Sequence, residues 1–322
     1  MKKLFASLFA AACAIALSAP ANAADFPTRN INCMNPYLAG GIIEVATRPV
    51  LEEMSKHLPK TSAMTNHAGA GGVNGLTKFV KERPDGYTIT VCSDMTLYCL
   101  SKFRDVRFNA ERDFVPIGSW AVTNTAMIVK RGDPRFQTFK EFMAYAAAHR
   151  DQTLSLGMIG KLSLRHAVLA QLLSMVDLPN VKLVPFGGDL DVINALGGGH
   201  IDGGVTDNIT SELTIPIGFF GKTPCPYFPD VPTFASMGYD IDMAGSYILW
   251  AHKDTPADQL KVLRDALKAS WDAEAVKETA KKLGMNPLPM FDEELDAKID
   301  KVSKALDVLI AKGIIVPEKK SN

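Results

Sequence analysis

From residue 30 onward the chain repeats one pattern: a short apolar run, a glycine-rich or polar turn, then a stretch with apolar residues three and four apart. Asn30 to Asn35 reads as a strand, Tyr37 to Gly41 as a turn, and Ile42 onward as a helix with Ile43, Ala46, Val50 and Met54 near one face. Pro49 removes a backbone donor inside that helix, which predicts a kink or break around Arg48. The pattern recurs from Ser62 to Asn66, through Ala68 to Gly72, into a helix carrying Val73, Leu76 and Val80. Pro84-Asp85-Gly86 then turns the chain into a strand from Tyr87 to Cys92. Alternation at this spacing predicts α/β layers around a mainly parallel sheet.

A second unit with the same grammar begins after Asn124. Ala126 to Val129 is strand-like, and Thr138 with Glu141 forms a capping box for the helix carrying Phe139, Phe142, Met143 and Ala146. Leu154 to Leu156 reads as a short strand, followed by a loop from Gly157 to Lys161 and a helix with Leu164, Val168, Leu172 and Met175 on one stripe. Val181 to Pro185 is a further strand, turned by Gly187-Gly188 into a short helix from Asp189 to Leu196, and Ile201 begins another strand. Tyr247 to Trp250 is again strand-like. Thr255-Pro256-Ala257-Asp258 then opens helices that run through Leu283 and from about Asp292 to Lys312. A chain of 322 residues suits two domains. The order of elements predicts a first lobe over residues 24–124, resumed at 247–322, with a second lobe, 125–246, inserted. Two crossings between lobes imply a hinged cleft.

The beginning of the chain places this architecture in a compartment. Met1-Lys2-Lys3, the apolar run Leu4 to Leu17 and then Pro20-Ala21-Asn22-Ala23 read as an export leader, residues 1–23, cleaved after Ala23. The run is too short for a comfortable membrane span. Cys13 inside it follows three alanines, which argues against a lipid-anchored cysteine, so a periplasmic product is expected. With 47% hydrophobic residues and 35 basic against 35 acidic, the composition is globular and offers no electrostatic footprint for nucleic acid. Cys33, Cys92, Cys99 and Cys225 form no redox or zinc spacing. A bridge between Cys33 and Cys92, across adjacent strands, and buried free thiols both remain open.

The candidate chemistry lies in two glycine-rich turns. Ala39-Gly40-Gly41 precedes the helix bearing Glu44, and Gly69-Ala70-Gly71-Gly72 precedes the next helix. Consecutive glycines let backbone approach a ligand, and the first amides of each helix are orphan donors. Two such turns at one end of a sheet make an anion cradle that suits a carboxylate. Neither turn is G-x-G-x-x-G, and no Gly-Lys-Ser/Thr element accompanies them, so nucleotide binding is not indicated. Glu44, Asp94 beside Ser93, His166 and Asp207 fall in the expected cleft loops. None belongs to a sequence-visible catalytic framework, and the histidines form no metal-ligand set. No cofactor is expected.

Motifs across the mature chain add a resemblance. "YLAGGIIEVATRPV" from Tyr37, "AGAGGVNG" from Ala68, "RPDGYTI" from Arg83, "ERDFVPIG" from Glu111 and "FPDVPTFASMG" from Phe228 resemble the receptors of tripartite tricarboxylate transporters, the Bordetella-type uptake receptors. The resemblance implies a type II periplasmic-binding-protein fold, closure of two α/β lobes on a small organic acid, and delivery to a two-component integral membrane permease. A ligand sensor paired with a signalling protein is the alternative, an exported enzyme a more remote one, and a monomer is expected. The turns Tyr37-Leu38-Ala39-Gly40-Gly41 and Ala68-Gly69-Ala70-Gly71-Gly72 are implied to hold one carboxylate, partly through water. Glu44 stands where the family usually has Asp; it either compensates the helix dipole or meets a ligand ammonium or hydroxyl. Met158 and Ile159 would make the second wall apolar, and Lys161 would pair with a second carboxylate or remain solvated. Phe186 and Gly187 replace the Tyr-Lys of the family's Pro-Tyr-Lys-Gly stretch. Asp207, following the next strand, could close over the ligand.

Overall fold

The computed structural model describes residues 26–320; the leader expected over residues 1–23 lies outside them. Among the described residues ten strands divide between two five-stranded sheets. The first contains β1 (Ile31–Asn35), β2 (Ser62–Asn66), β3 (Thr88–Ser93), β4 (Phe114–Val122) and β10 (Ser246–His252), in the order β2-β1-β3-β10-β4. The second contains β5 (Ala126–Lys130), β6 (Leu154–Ile159), β7 (Val181–Phe186), β8 (Gly203–Thr206) and β9 (Thr214–Phe219), in the order β7-β6-β8-β5-β9. In each sheet three strands run parallel and the remaining two antiparallel to their neighbours, so the sheets are mixed rather than mainly parallel.

Both edge strands β4 and β9 carry Pro-Ile-Gly, at Pro116–Gly118 and Pro216–Gly218, and both escape the periodicity reading for that reason. Their register slips beside each proline, where an edge strand tolerates a missing donor. Pro49 behaves differently from expectation. Helix α1 (Ile42–Lys56) runs unbroken through it, with Ala46, Val50 and Met54 buried. Burial of that apolar face overrides the local penalty.

Strand alternation partitions the cores. Ile31 and Cys33 of β1, Ile89 and Val91 of β3 and Leu249 of β10 pack beneath α1, α8 (Ala257–Ser270) and α9 (Glu274–Lys282). Met34, Cys92 and Trp250 point to the other face, into a core that continues through Leu156 and Val205 of the second sheet. The helix α10 (Asp292–Ala311) lies on that side, against α3 (Asp94–Phe103) and reaching α6 (Leu164–Ser174). Cys33 pairs in register with Ile89, and it and Cys92 serve opposite faces, so they do not bridge; all four described cysteines are buried free thiols.

The chain passes between sheets at Thr123–Thr125 and again between β9 and β10. Thr123 N–H donates to Gly245 O at 2.7 Å, and Gly245 N–H donates to Thr123 Oγ1 at 3.2 Å, so the two passages are bonded together. Asn124 and Asn286 exchange side-chain amide bonds of 3.3 and 3.1 Å, and Asn124 Nδ2 also donates to Gly284 O at 2.6 Å. These buried bonds join the crossing to the segment after α9.

Candidate functional site

A cavity of about 890 Å³ opens between the two sheets. Its first wall grows from the C-terminal ends of β1 and β2, which pair in register from Ile31 with Ser62 to Asn35 with Asn66. Parallel neighbours deliver their following turns to the same end of the sheet. Gly75 presses the second helix, α2 (Val73–Phe79), against the first turn: a Cβ there would stand 2.6 Å from Pro36 Cα. Gly69 to Gly72 all have positive φ, including Ala70 at 49°, and a Cβ on Gly72 would meet the Tyr37 ring at 3.2 Å. A short helical turn, Ala70–Gly72, follows at the cavity wall; the Gly72 amide donates to Gly69 O at 3.0 Å, which leaves those of Ala70 and Gly71 as its orphan donors.

Glu44 locks the two turns together from behind. Its Oε2 accepts from Gly40 N–H at 2.9 Å and Asn66 Nδ2 at 2.8 Å, while its Oε1 accepts from Arg48 Nε at 2.9 Å and from Arg48 Nη2. Asn66 Nδ2 also donates to Tyr37 O at 3.3 Å. The Arg48 guanidinium, helped by Asn66 and the Gly40 amide, holds the Glu44 carboxyl below the usual glutamate range despite its burial. The first turn therefore offers fewer donors than its glycines suggest, because Gly40 N–H goes to Glu44 and Gly41 N–H to Leu38 O at 3.3 Å. The donors that reach the cavity are at Ile42 and Ile43, the first turn of α1, whose amides lack intrahelical acceptors.

The opposite wall is the loop after β6 and the start of α6. Ser163 caps α6 by accepting from His166 N–H at 3.2 Å, and His166 Nδ1 accepts from the Leu162 amide at 3.1 Å. Burial and the nearby Lys161 charge keep the imidazole pKa below its ordinary value, which suits this acceptor role. His166 thus shapes the loop, in which Leu162 is held at φ 55°. Behind it lies a buried polar cluster. Arg165 Nη2 donates to Asp207 Oδ2 at 2.6 Å and stands 4.0 Å from Asp189 Oδ2, and Asp207 Oδ1 accepts from Thr125 Oγ1 at 2.6 Å. Thr206 Oγ1 donates to Asp189 Oδ1 at 2.6 Å. Tyr247, at the start of β10, closes the interior; its ring lies 6.1 Å from that of Trp120.

Of the residues expected from sequence, Tyr37, Leu38, Gly41, Ala68, Gly69, Ala70, Gly71, Gly72, Ser93, Ile159, Lys161, Phe186 and Asp207 line this cavity. Ala39, Gly40, Glu44, Asp94 and Met158 do not. Glu44 faces the turn it anchors. Asp94 is fully buried at the head of α3, where its Oδ1 accepts from Met95 N–H at 2.6 Å and Ser246 N–H at 2.8 Å; burial raises its pKa. β6 extends to Ile159 instead of stopping at Leu156, so alternation turns Met158 into the core and leaves Ile159 at the wall. Arg165, Asp189 and Tyr247 were missed. In sequence Arg165 is a polar position within an apolar helical stripe, and Asp189 is an acid in the first turn of a helix, where the dipole favours it, so neither stands out.

Two mixed α/β lobes around a cleft form the fold of periplasmic solute-binding proteins. The profile described as "Tripartite tricarboxylate transporter family receptor" matches residues 46–313, and the chain belongs to that family. It is 28% identical over 285 residues to the "UPF0065 protein in gbd 5'region" of Cupriavidus necator, spanning 87% of this chain and 86% of that one. The solved structure of periplasmic binding protein BugD is 25% identical with a TM-score of 0.74, covering 91% of this chain and 100% of BugD. MatC from Rhodopseudomonas palustris, solved with bound malate, shares the fold at 22% identity and a TM-score of 0.75, covering 88% and 100% of the two chains.

Proposed function

We propose that this protein is a periplasmic receptor that captures a small carboxylate between its lobes and passes it to a two-component membrane permease. The observation that carries the reading is the pair of turns from β1 and β2, which bring the amides beginning α1 and the Ala70–Gly72 turn to one end of the cavity. Such a cradle stabilises an anion without a cationic side chain. Family membership and the malate held by MatC support the same ligand class and the transport role. On this reading residues 1–23 are the export leader, 24–124 and 247–322 form the lobe bearing the cradle, and 125–246 form the lobe that closes on it.

The amides of Ile42 and Ile43, residues 68–72 and Ser93 supply the carboxylate end, beside Leu38 and Gly41 of the wall, and Ile159, Lys161 and Phe186 face it across the cleft. A thermal-shift screen of mono- and dicarboxylates, aromatic acids and amino acids tests the reading, since a ligand selective for the folded state raises apparent stability. Calorimetric titration then gives affinity. Stabilisation by one or a few carboxylates is expected; no response to any of them would overturn the assignment. Loss of uptake of that acid on gene deletion, with transcriptional responses intact, is the expected sign of transport.

A further inference from the structure

The far end of the cleft carries an unusual balance of charge. Six charged residues line the cavity: Arg104, Lys161, Arg165, Asp189, Asp207 and Glu318. Arg104 stands 3.6 Å from Glu318 and donates to Ala70 O at 3.3 Å, so that pair braces the cradle at one side. Lys161 is exposed, with its charge in water. The remaining three form the buried floor, one guanidinium against two carboxylates.

Within that floor the hydrogen bonds are unevenly used. Both Asp207 oxygens are engaged, one by Arg165 and one by Thr125. Asp189 Oδ1 is engaged by Thr206 and the carboxylate also receives the Asp207 backbone amide, whereas its approach to Arg165, at 4.0 Å from Oδ2, is longer than a hydrogen bond. Arg165 commits Nη2 to Asp207, and its Nε is sealed without a partner; the side chain as a whole keeps 14% of its surface exposed, against 20% for Asp189. Of the guanidinium, Nη1 is the nitrogen left to a ligand, since Nη2 is committed and Nε is sealed, and the side chain stands beside the Asp189 carboxylate. A second free carboxylate placed there would gain Arg165 but would crowd Asp189, whose pKa burial and the neighbouring Asp207 already raise, so a further anion is held only at the cost of repulsion or of a proton taken up by Asp189. A purely apolar end would desolvate the remaining Arg165 donor and Asp189 Oδ2 without giving either a ligand partner.

We infer that the solute is a monocarboxylate whose far end carries an uncharged amide-type group, its carbonyl accepting from Arg165 and its N–H donating to Asp189 Oδ2. This rests on the carboxylate reading above and specifies the other end of the same ligand. Arg165 and Asp189 are then specificity determinants, and the Asp207–Thr125 bond holds Arg165 in place.

Calorimetric titration of the full chain tests it with two matched sets of probes: succinate, succinamate and butyrate, and isophthalate, its monoamide and meta-toluate. In the set that fits, the monoamide binds at least about tenfold more tightly than either partner. Asp189→Asn keeps the volume but removes the repulsion, so the gap between diacid and monoamide narrows to about threefold or less. A wild-type preference for the diacid, or a ratio unchanged in Asp189→Asn, overturns the inference while leaving the carboxylate reading intact. Failure of every acid in both sets overturns both. Should Asp189→Asn not fold by circular dichroism, the wild-type comparison decides alone.

Discussion

Replacing Glu44 with alanine separates an anchor from a ligand contact. In the wild type its carboxylate accepts from Gly40 N–H at 2.9 Å and Asn66 Nδ2 at 2.8 Å. Hydrogen bonds to a charged group contribute about 1.5–3 kcal/mol each when their loss leaves partners unpaired. Gly40 is exposed, so water replaces part of its loss. The bond to Arg48, whose side chain is 52% exposed, adds little after screening. Glu44→Ala should therefore destabilise the fold by about 2–4 kcal/mol, lowering Tm by roughly 4–10 °C in a chain of this size. Glu44→Gln keeps one acceptor oxygen and should lose about half as much. Thermal unfolding followed by circular dichroism, with calorimetric titration of the carboxylate found in the screen, reads both effects. An unchanged Tm with binding abolished would refute the anchor and make Glu44 a direct contact. The pH dependence has a definite sign. Because the folded-state pKa of Glu44 is lowered, its contribution is complete above the ordinary glutamate value, near about 4.3, and disappears as pH falls through the lower folded value. The Tm difference between wild type and Glu44→Gln should shrink in that acidic window and remain constant above it.

Three further outcomes follow from the geometry. Gly72→Ala meets both a φ of 103° and the Tyr37 ring, so it should lose about 1–3 kcal/mol of stability and at least about tenfold in carboxylate affinity; unaltered titrations would remove the second turn from the site. Asn124→Ala leaves the Gly284 carbonyl and the Asn286 amide buried without their partner, which predicts a loss of about 2–4 kcal/mol in urea denaturation, and a change below about 0.5 kcal/mol would contradict the bonding described. Cys33, Cys92, Cys99 and Cys225 should react with a thiol reagent only after unfolding, since all are buried and burial raises each thiol pKa, that of Cys92 to about 12; prompt labelling of the native protein would be the contrary result.

Much of the scaffold is legible in the sequence because its signals are local. Ser62–Asn66 is bounded by turns and matches the expected strand, and the stripe Leu295, Ile299, Val302, Leu306 and Leu309 is buried on one helix as its period requires. β4 and β9 escape detection because Pro116 and Pro216 are tolerable only at sheet edges, and edge position is a property of the assembled sheet. The glycine turns are visible as motifs, yet the division of labour inside them is not. That Gly40 N–H is spent on Glu44 depends on a side-chain rotamer. Arg165 illustrates the same limit more sharply: its partner Asp207 lies 42 residues away, and their union needs β8 beside β6 and the start of α6 above both.

The contact between Tyr247 and Trp120 gives the molecule an optical property. Tyr247 is part of the cleft interior, and its ring sits 6.1 Å from the indole. Trp250 is fully buried away from the cavity and Trp271 lies out on α8's C-terminal side. A solute resting against Tyr247 should therefore alter the light emitted by Trp120. Solute capture should then register in the protein's own fluorescence, with Trp120→Phe as the silent control; unchanged emission at saturating acid would be the contrary result.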